Sequence, residues 1–315
     1  MSVRSILPLM LAGALGAVIS QMVVNAQAPR APASRAAVPA VAAVPTAPAT
    51  APALTPQAPA QPEHALPFFR PEDPPGRSLD ANLFVQTSAE YRACCLQAYN
   101  LASLRLAAAV AQAAEPADRL AVVLDLDETV LDNGAFQSMM IRSKLAYDQR
   151  LWDLWEAEHW DKWELVPGAK AFILEARKAG VTVIYISNRN EKFREQTRRG
   201  LERLGIDVAD EGHLKLASDT SNKTARRDAV DKDFRVVLHV GDNLRDFDEA
   251  FRSPAVAADA DAAASAAAIR RRKEVVDEHA DDWGNRWIIL PNPIYGEWMK
   301  PLDRGLRDVD QLVPE

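Results

Sequence analysis

Three short apolar runs, "AVVLDLD" at 121–127, "VTVIYIS" at 181–187 and "FRVVLHV" at 234–240, recur along the chain with helix-like stretches between them. Runs this rich in β-branched and aliphatic residues suit strands buried on both faces, and a parallel sheet is the structure that buries them so. After the first run comes "LWDLWEAEHWDKW", irregular and helical; Pro167 then suits the first turn of "GAKAFILEARKAG", which Gly180 closes. "EKFREQTRRGLERLG" forms a second amphipathic helix that stops at Gly205. The alternation predicts an α/β fold whose sheet is covered on both faces. "GDNLRDFDEAF" reads as a turn entering a helix, and "ADADAAASAAAIRRRKEVVDEH" as an Ala-rich helix with a solvated charged end and no chemistry.

A chain of 315 residues, 48% of them apolar, has room for one catalytic domain with appendages. Its formal net charge of −7, with no basic stripe, excludes a nucleic-acid polymer as partner. Arg4 precedes the apolar run "ILPLMLAGALGAVIS", and Val24 and Ala26 suit cleavage after Ala26, so residues 1–26 read as a signal peptide. The rival reading is an uncleaved anchor, because Ile6 to Val24 approaches the roughly 20 residues a membrane span needs. Cleavage predicts a periplasmic or secreted protein with no stable membrane insertion. No cysteine follows the apolar run, so a lipoprotein is not expected. Residues 27–67 are almost all Ala and Pro and predict a disordered linker, which leaves 68–315 as the folded domain. A homodimer is left open. Cys94 and Cys95 are neighbours on a helical pattern and point about 100° apart, so they cannot bridge each other and read as two small buried hydrophobes.

Ligands of open α/β sheets bind beyond the carboxyl ends of the strands, where Asp125, Ser187 and Asp242 fall. Period two turns Asp125 and Asp127 to the same side if strand geometry persists that far. A lone D-x-D is weak, since acidic pairs at strand ends also cap helices. Here it has companions in chain order: Ser187, Lys223 in "SDTSNKTARRDAV", and Asp242 and Asp246 in "HVGDNLRDF".

This set resembles the haloacid dehalogenase (HAD) superfamily. "QTSAEYRACCLQAYNLA", "DLDETVLDN", "ISNR", "VGDNLRDF" and "LPNPIYGEW" are similar to the bacterial class C acid phosphatases, which include secreted 5'-nucleotidases. The resemblance implies a HAD-like Rossmannoid parallel sheet covered by helices, with a small helical accessory region. It also implies magnesium-dependent (Mg2+) hydrolysis of a small-molecule phosphomonoester through an aspartyl-phosphate. Asp125 would be the nucleophile and Asp127 the acid that protonates the leaving alkoxide, then the base toward water. Asp125, Asp242 and the backbone carbonyl of Asp127 would hold magnesium, a hard ion that an all-oxygen set suits better than zinc. Ser187, Asn188 and nearby backbone N–H groups would hold the phosphoryl oxygens, and Lys223 would supply fixed positive charge. Asp246 would order metal-bound water or Lys223, and Arg189 would line the pocket beside Asn188. The ordinary readings stay open: Lys223 as a surface lysine, Asp246 as a helix-start carboxylate. Glu128 and Asp132 read as solvated or loop-stabilising, and His239 as a satisfied core histidine. The missing lipobox cysteine and the long Ala/Pro linker depart from the family in anchoring, not in chemistry.

A dehalogenase would share the nucleophile but has no alkoxide for Asp127 to protonate, and a phosphomutase stays formally open. A non-enzymatic secreted binding or storage protein would be expected to lack one of Asp125, Asp127, Asp242 and Asp246, all of which are present. Trp152, Trp155, Trp160 and Trp163 crowd one segment, and a core-facing helical stripe is the default for most of them. Trp152 nevertheless falls where the resembling phosphatases carry an aromatic beside the substrate, and Tyr295 matches another such position. The two together imply a preference for 5'-nucleoside monophosphates and aryl phosphates over small aliphatic ones.

Overall fold

The computed structural model describes residues 78–302 except 209 and 254–261. The expected signal peptide, the linker and the start of the expected domain lie outside the described residues. Five parallel strands form the main sheet: β1 (Leu120–Leu124), β4 (Thr182–Asn190), β5 (Leu214–Ala217), β6 (Arg235–Gly241) and β7 (Trp287–Ile289). Their order is β5-β4-β1-β6-β7, so β1, the first in sequence, lies at the centre. The three predicted strands are the inner three. A two-stranded antiparallel ribbon joins β2 (Leu131–Asp132) to β3 (Glu164–Leu165).

Along β1 the side chains alternate between two cores, as period two requires. Leu120, Val122 and Leu124 join the main apolar cluster, with Cys95 and Leu106 of helix α2 (Ala89–Gln112) and Phe172 and Ile173 of α5 (Ala169–Lys178). Ala121 and Val123 face a smaller cluster with Val230 of α7 (Thr224–Asp231). The sheet is therefore covered on both sides. The remaining helices are α1 (Leu79–Thr87), α3 (Gly134–Arg142), α4 (Gln149–Glu158), α6 (Arg194–Arg203) and α8 (Ala262–Glu278). Between β1 and α5, helices α3 and α4 and the ribbon make the small accessory region. Gly180 and Gly205 follow α5 and α6 with φ of +78° and +77°, the left-handed stops read from the sequence.

Four local expectations need correction. Cys95 is buried but Cys94 is exposed, because the turn between neighbours carries it to the outer face of α2. "GDNLRDFDEAF" forms no α-helix: two single 3-10 turns, Leu244–Asp246 and Glu249–Phe251, take its place. The first is closed on itself by a capping box between Asn243 and Asp246, and Asp248 caps the second by accepting from the Ala250 N–H. The four tryptophans do not share one helical stripe. Trp152 and Trp155 lie on α4, Trp160 in a 3-10 turn and Trp163 beyond it, with Trp155 and Trp163 buried. His239 is half-buried, and its buried Nδ1 has no hydrogen-bond partner among the described residues, so it is not a satisfied core histidine.

Candidate active site

β1 delivers Asp125 to the carboxyl edge of the sheet, where its N–H donates to Val240 O at 3.0 Å and continues the ladder for one residue. The chain then folds tightly: Leu126 O accepts from the N–H groups of Thr129, Val130 and Leu131 at 3.3, 2.8 and 2.7 Å. Glu128 takes φ +54° within this loop, a strained choice for a side-chain-bearing residue that costs about 1 kcal/mol. Its carboxylate is buried and accepts from the Asn133 N–H at 3.1 Å, so Glu128 stabilises the loop and is not solvated. Strand geometry does not persist past Asp125, yet the loop still turns both Asp125 and Asp127 into one cleft.

At the floor of the cleft Lys223, the residue before α7, is buried between two carboxylates. Its Nζ donates to Asp125 Oδ1 at 2.5 Å and to Asp246 Oδ1 at 2.7 Å. Burial alone would lower its pKa, but Asp125 and Asp246 outweigh that and raise it, so Lys223 is a fixed cation. It is not a surface lysine. Asp246 Oδ2 accepts from the Asn243 N–H at 2.9 Å. A Cβ at position 241 would stand 2.5 Å from that same oxygen, so the site needs Gly241 at the strand end. Asp242 is held by Thr129 Oγ1, which donates to its Oδ1 at 3.1 Å, and by Asn292 Nδ2, which donates to Oδ2 at 2.8 Å. Thr129 and Asn292 were not singled out from the sequence, although they lie in the quoted "DLDETVLDN" and "LPNPIYGEW".

Burial, with Asp246 as the next cause, pushes Asp242 up to about 7. Burial also holds Asp125 well above the usual carboxylate range, opposed by Lys223 and reinforced by Asp246, Asp242 and Asp127. Ligand oxygens of Asp125, Asp242 and Asp246 lie within 4.8 Å of one another. Three carboxylates facing one ammonium leave uncompensated negative charge, which burial makes costly. A hard divalent cation on this all-oxygen set would offset it, so the residues present fit such an ion.

The strand tail of β4 alternates. Ser187 is buried, accepts from the Arg189 N–H at 3.1 Å and lies 3.5 Å from Asp127 Oδ2. Asn188 points into the cleft, and its Oδ1 accepts from Arg226 Nη2 at 2.7 Å. Arg189, expected to line the pocket, is instead fully buried behind Asp127, which it meets at 2.7 Å. Period two puts it on the face of Ser187, away from Asn188. The cleft above has a volume of about 600 Å³, and both Trp152 and Tyr295 line it with Met140 and Tyr147. Trp152 does so while its ring packs edge-on against Phe136 at 5.1 Å.

A parallel sheet that gathers acidic residues and a buried lysine beyond its carboxyl edge has the parts that phosphoryl transfer in an α/β enzyme needs: a carboxylate nucleophile, a cation-binding set and a fixed positive charge. Residues 79–298 match the HAD superfamily, subfamily IIIB (acid phosphatase). The structure of a class C acid phosphatase from Bacillus anthracis is similar at 32% identity and a TM-score of 0.63, covering 75% of this chain and 94% of that one. The tungstate-bound crystal structure of that enzyme gives 0.64 at the same identity and coverage. The chain belongs to the HAD subfamily IIIB acid phosphatases and is a phosphoric monoester hydrolase.

Proposed function

We propose that the protein is a magnesium-dependent phosphomonoesterase that works through an aspartyl-phosphate on Asp125 and favours 5'-nucleoside monophosphates and aryl phosphates. One observation carries the reading. Asp125 ends the central strand at the cleft floor, within reach of Lys223 and beside Asp242 and Asp246. The carboxylates of Asp125 and Asp242 and the backbone carbonyl of Asp127 would hold magnesium, which when bound offsets the repulsion between an attacking carboxylate and an anionic ester.

In the first step an Asp125 oxygen bonds to phosphorus as the bond to the leaving oxygen breaks, and Asp127 gives that oxygen its proton. Water then attacks the phosphorus and passes a proton to Asp127, the bond to Asp125 breaks, and orthophosphate leaves. Lys223 stands as fixed charge beside the transferring group, with Asn188 and Ser187 toward its oxygens. Asp246 holds Lys223 in place. Trp152 and Tyr295 give the cleft two aromatic walls, against which a flat base or aryl ring gains about 1 to 3 kcal/mol by stacking. Export remains a proposal that rests on Arg4 and the apolar run after it.

The test is a substrate panel of nitrophenyl phosphate, several nucleoside monophosphates and glycerol phosphate, with magnesium or with chelator. Turnover should need magnesium, and nucleotides should outrun glycerol phosphate. Trp152→Ala or Tyr295→Ala should raise KM for nucleotides more than for glycerol phosphate. Asp125→Asn should abolish acid-stable phosphoenzyme; undiminished turnover in that variant would end the reading.

A further inference from the structure

Asp127 is held asymmetrically. Its Oδ1 accepts three charged or amide donors: Arg189 Nε at 2.9 Å, Arg189 Nη2 at 2.7 Å and Asn133 Nδ2 at 2.9 Å. Among the described residues its Oδ2 has only the Ser187 hydroxyl, at the 3.5 Å limit of a hydrogen bond. An oxygen that already accepts three hydrogen bonds has no lone pair left for a proton, whereas the other oxygen does. We infer that Arg189, with Asn133, is the positioning residue that confines the acid–base proton of Asp127 to Oδ2. The inference rests on the proposed role of Asp127.

The clamp is itself clamped. The Arg189 guanidinium lies 3.7 Å from the ring centre of buried Trp163, and its Nη2 also donates to Asn133 Oδ1 at 3.1 Å. Trp155 Nε1 donates to that same Asn133 oxygen at 3.0 Å, which fixes the amide so that its Nδ2 can only face Asp127. Behind Trp163 stands Gly200 of α6, where a Cβ would lie 2.4 Å from the ring. A planar fork on a π-face is a geometry lysine cannot copy.

When phosphorus bonds to Asp125 and releases the leaving oxygen, the proton on Asp127 Oδ2 moves to that oxygen. A leaving group that is stable as an anion does not need it. The role of Arg189 is therefore visible in leaving-group dependence, and kcat/KM isolates the first transfer. The experiment measures kcat/KM for glycerol, phenyl, nitrophenyl and dinitrophenyl phosphates on magnesium-loaded wild type, Arg189→Lys, Trp163→Phe and Asp127→Asn. Arg189→Lys should lose about a hundredfold on glycerol phosphate, the scale of general-acid catalysis, and keep most of its rate on dinitrophenyl phosphate. Its KM and its inhibition by orthophosphate should stay near wild type. Trp163→Phe keeps a ring and should show the same tilt at smaller size, so the comparison still decides the matter if Arg189→Lys folds poorly. Equal losses across the series in both variants, beside a steep series in Asp127→Asn, would sink the Arg189 assignment alone. A flat series in Asp127→Asn would remove Asp127 as the acid, and the role of Arg189 with it.

Discussion

Half-buried His239 and buried Glu156, both away from the cleft floor, push stability in opposite directions with pH. Burial, with the Arg227 and Arg286 charges, lowers the His239 pKa to about 4. Its stabilising contribution is full above the ordinary value near 6.5 and is lost as pH falls toward 4. Glu156 is fully buried, and burial pushes it up to about 8 despite Arg189. Its contribution is full below about 4.5 and is lost as pH rises through 8. At about 1.4 kcal/mol per unit, the limbs are on the order of 3 and 5 kcal/mol at most. Unfolding free energy from urea titrations should therefore peak on the acid side of neutrality. Glu156→Gln should make the alkaline limb shallower, with Asp242 still titrating there, and His239→Gln the acid limb; an unchanged slope in either variant refutes the corresponding half. In the sequence Glu156 is only one of several charges among tryptophans, because its setting depends on the distant end of β4, where the Asn190 N–H donates to it. Asp125, Lys223, Asp242 and Asp246 are legible because their types and chain order are unusual together. The place of Arg189 is not, since it is fixed by Asp127 and Trp163, distant in sequence and close only once folded.

At the scale of elements, α6 offers a sign test. Replacing an interior helical glycine by alanine usually stabilises by about 1 kcal/mol. At Gly200 the new methyl would meet two Trp163 ring carbons at 2.4 Å, and overpacking of that kind costs about 1 to 3 kcal/mol. Gly200→Ala should therefore lower the melting temperature; a rise would mean that Trp163 can move aside freely. Legibility of the strands follows their place in the sheet. β1, β4 and β6 are inner strands with long apolar runs. β5 is four residues, "LKLA", half of them facing outward, and β7 is three residues, "WII". Edge strands this short carry too little pattern to stand out from turns. The turns after β6 escape for a different reason: "NLRD" has the composition of a helix start, and only the capping bonds from Asp246 and Asp248 show that each helix ends after one turn.

For the molecule as a whole, the site draws on parts that meet only across the sheet. Asp125 meets Lys223 from 98 positions away, Thr129 meets Asp242 from 113, and Asn292 closes on Asp242 from the far side of β7. Parallel pairing of distant strands forms late, because loop closure costs entropy before contacts offset it. After dilution from denaturant, phosphatase activity should return with the slowest phase of tryptophan fluorescence and never ahead of it. Activity regained while that phase is still running would show that a partial sheet suffices. The central position of β1, the first strand made yet paired on both sides only once β6 has followed, thus works as a built-in delay. A chain held unfolded in any compartment spares the phosphate esters around it, and the enzyme needs no separate inhibitor to stay silent until it is complete.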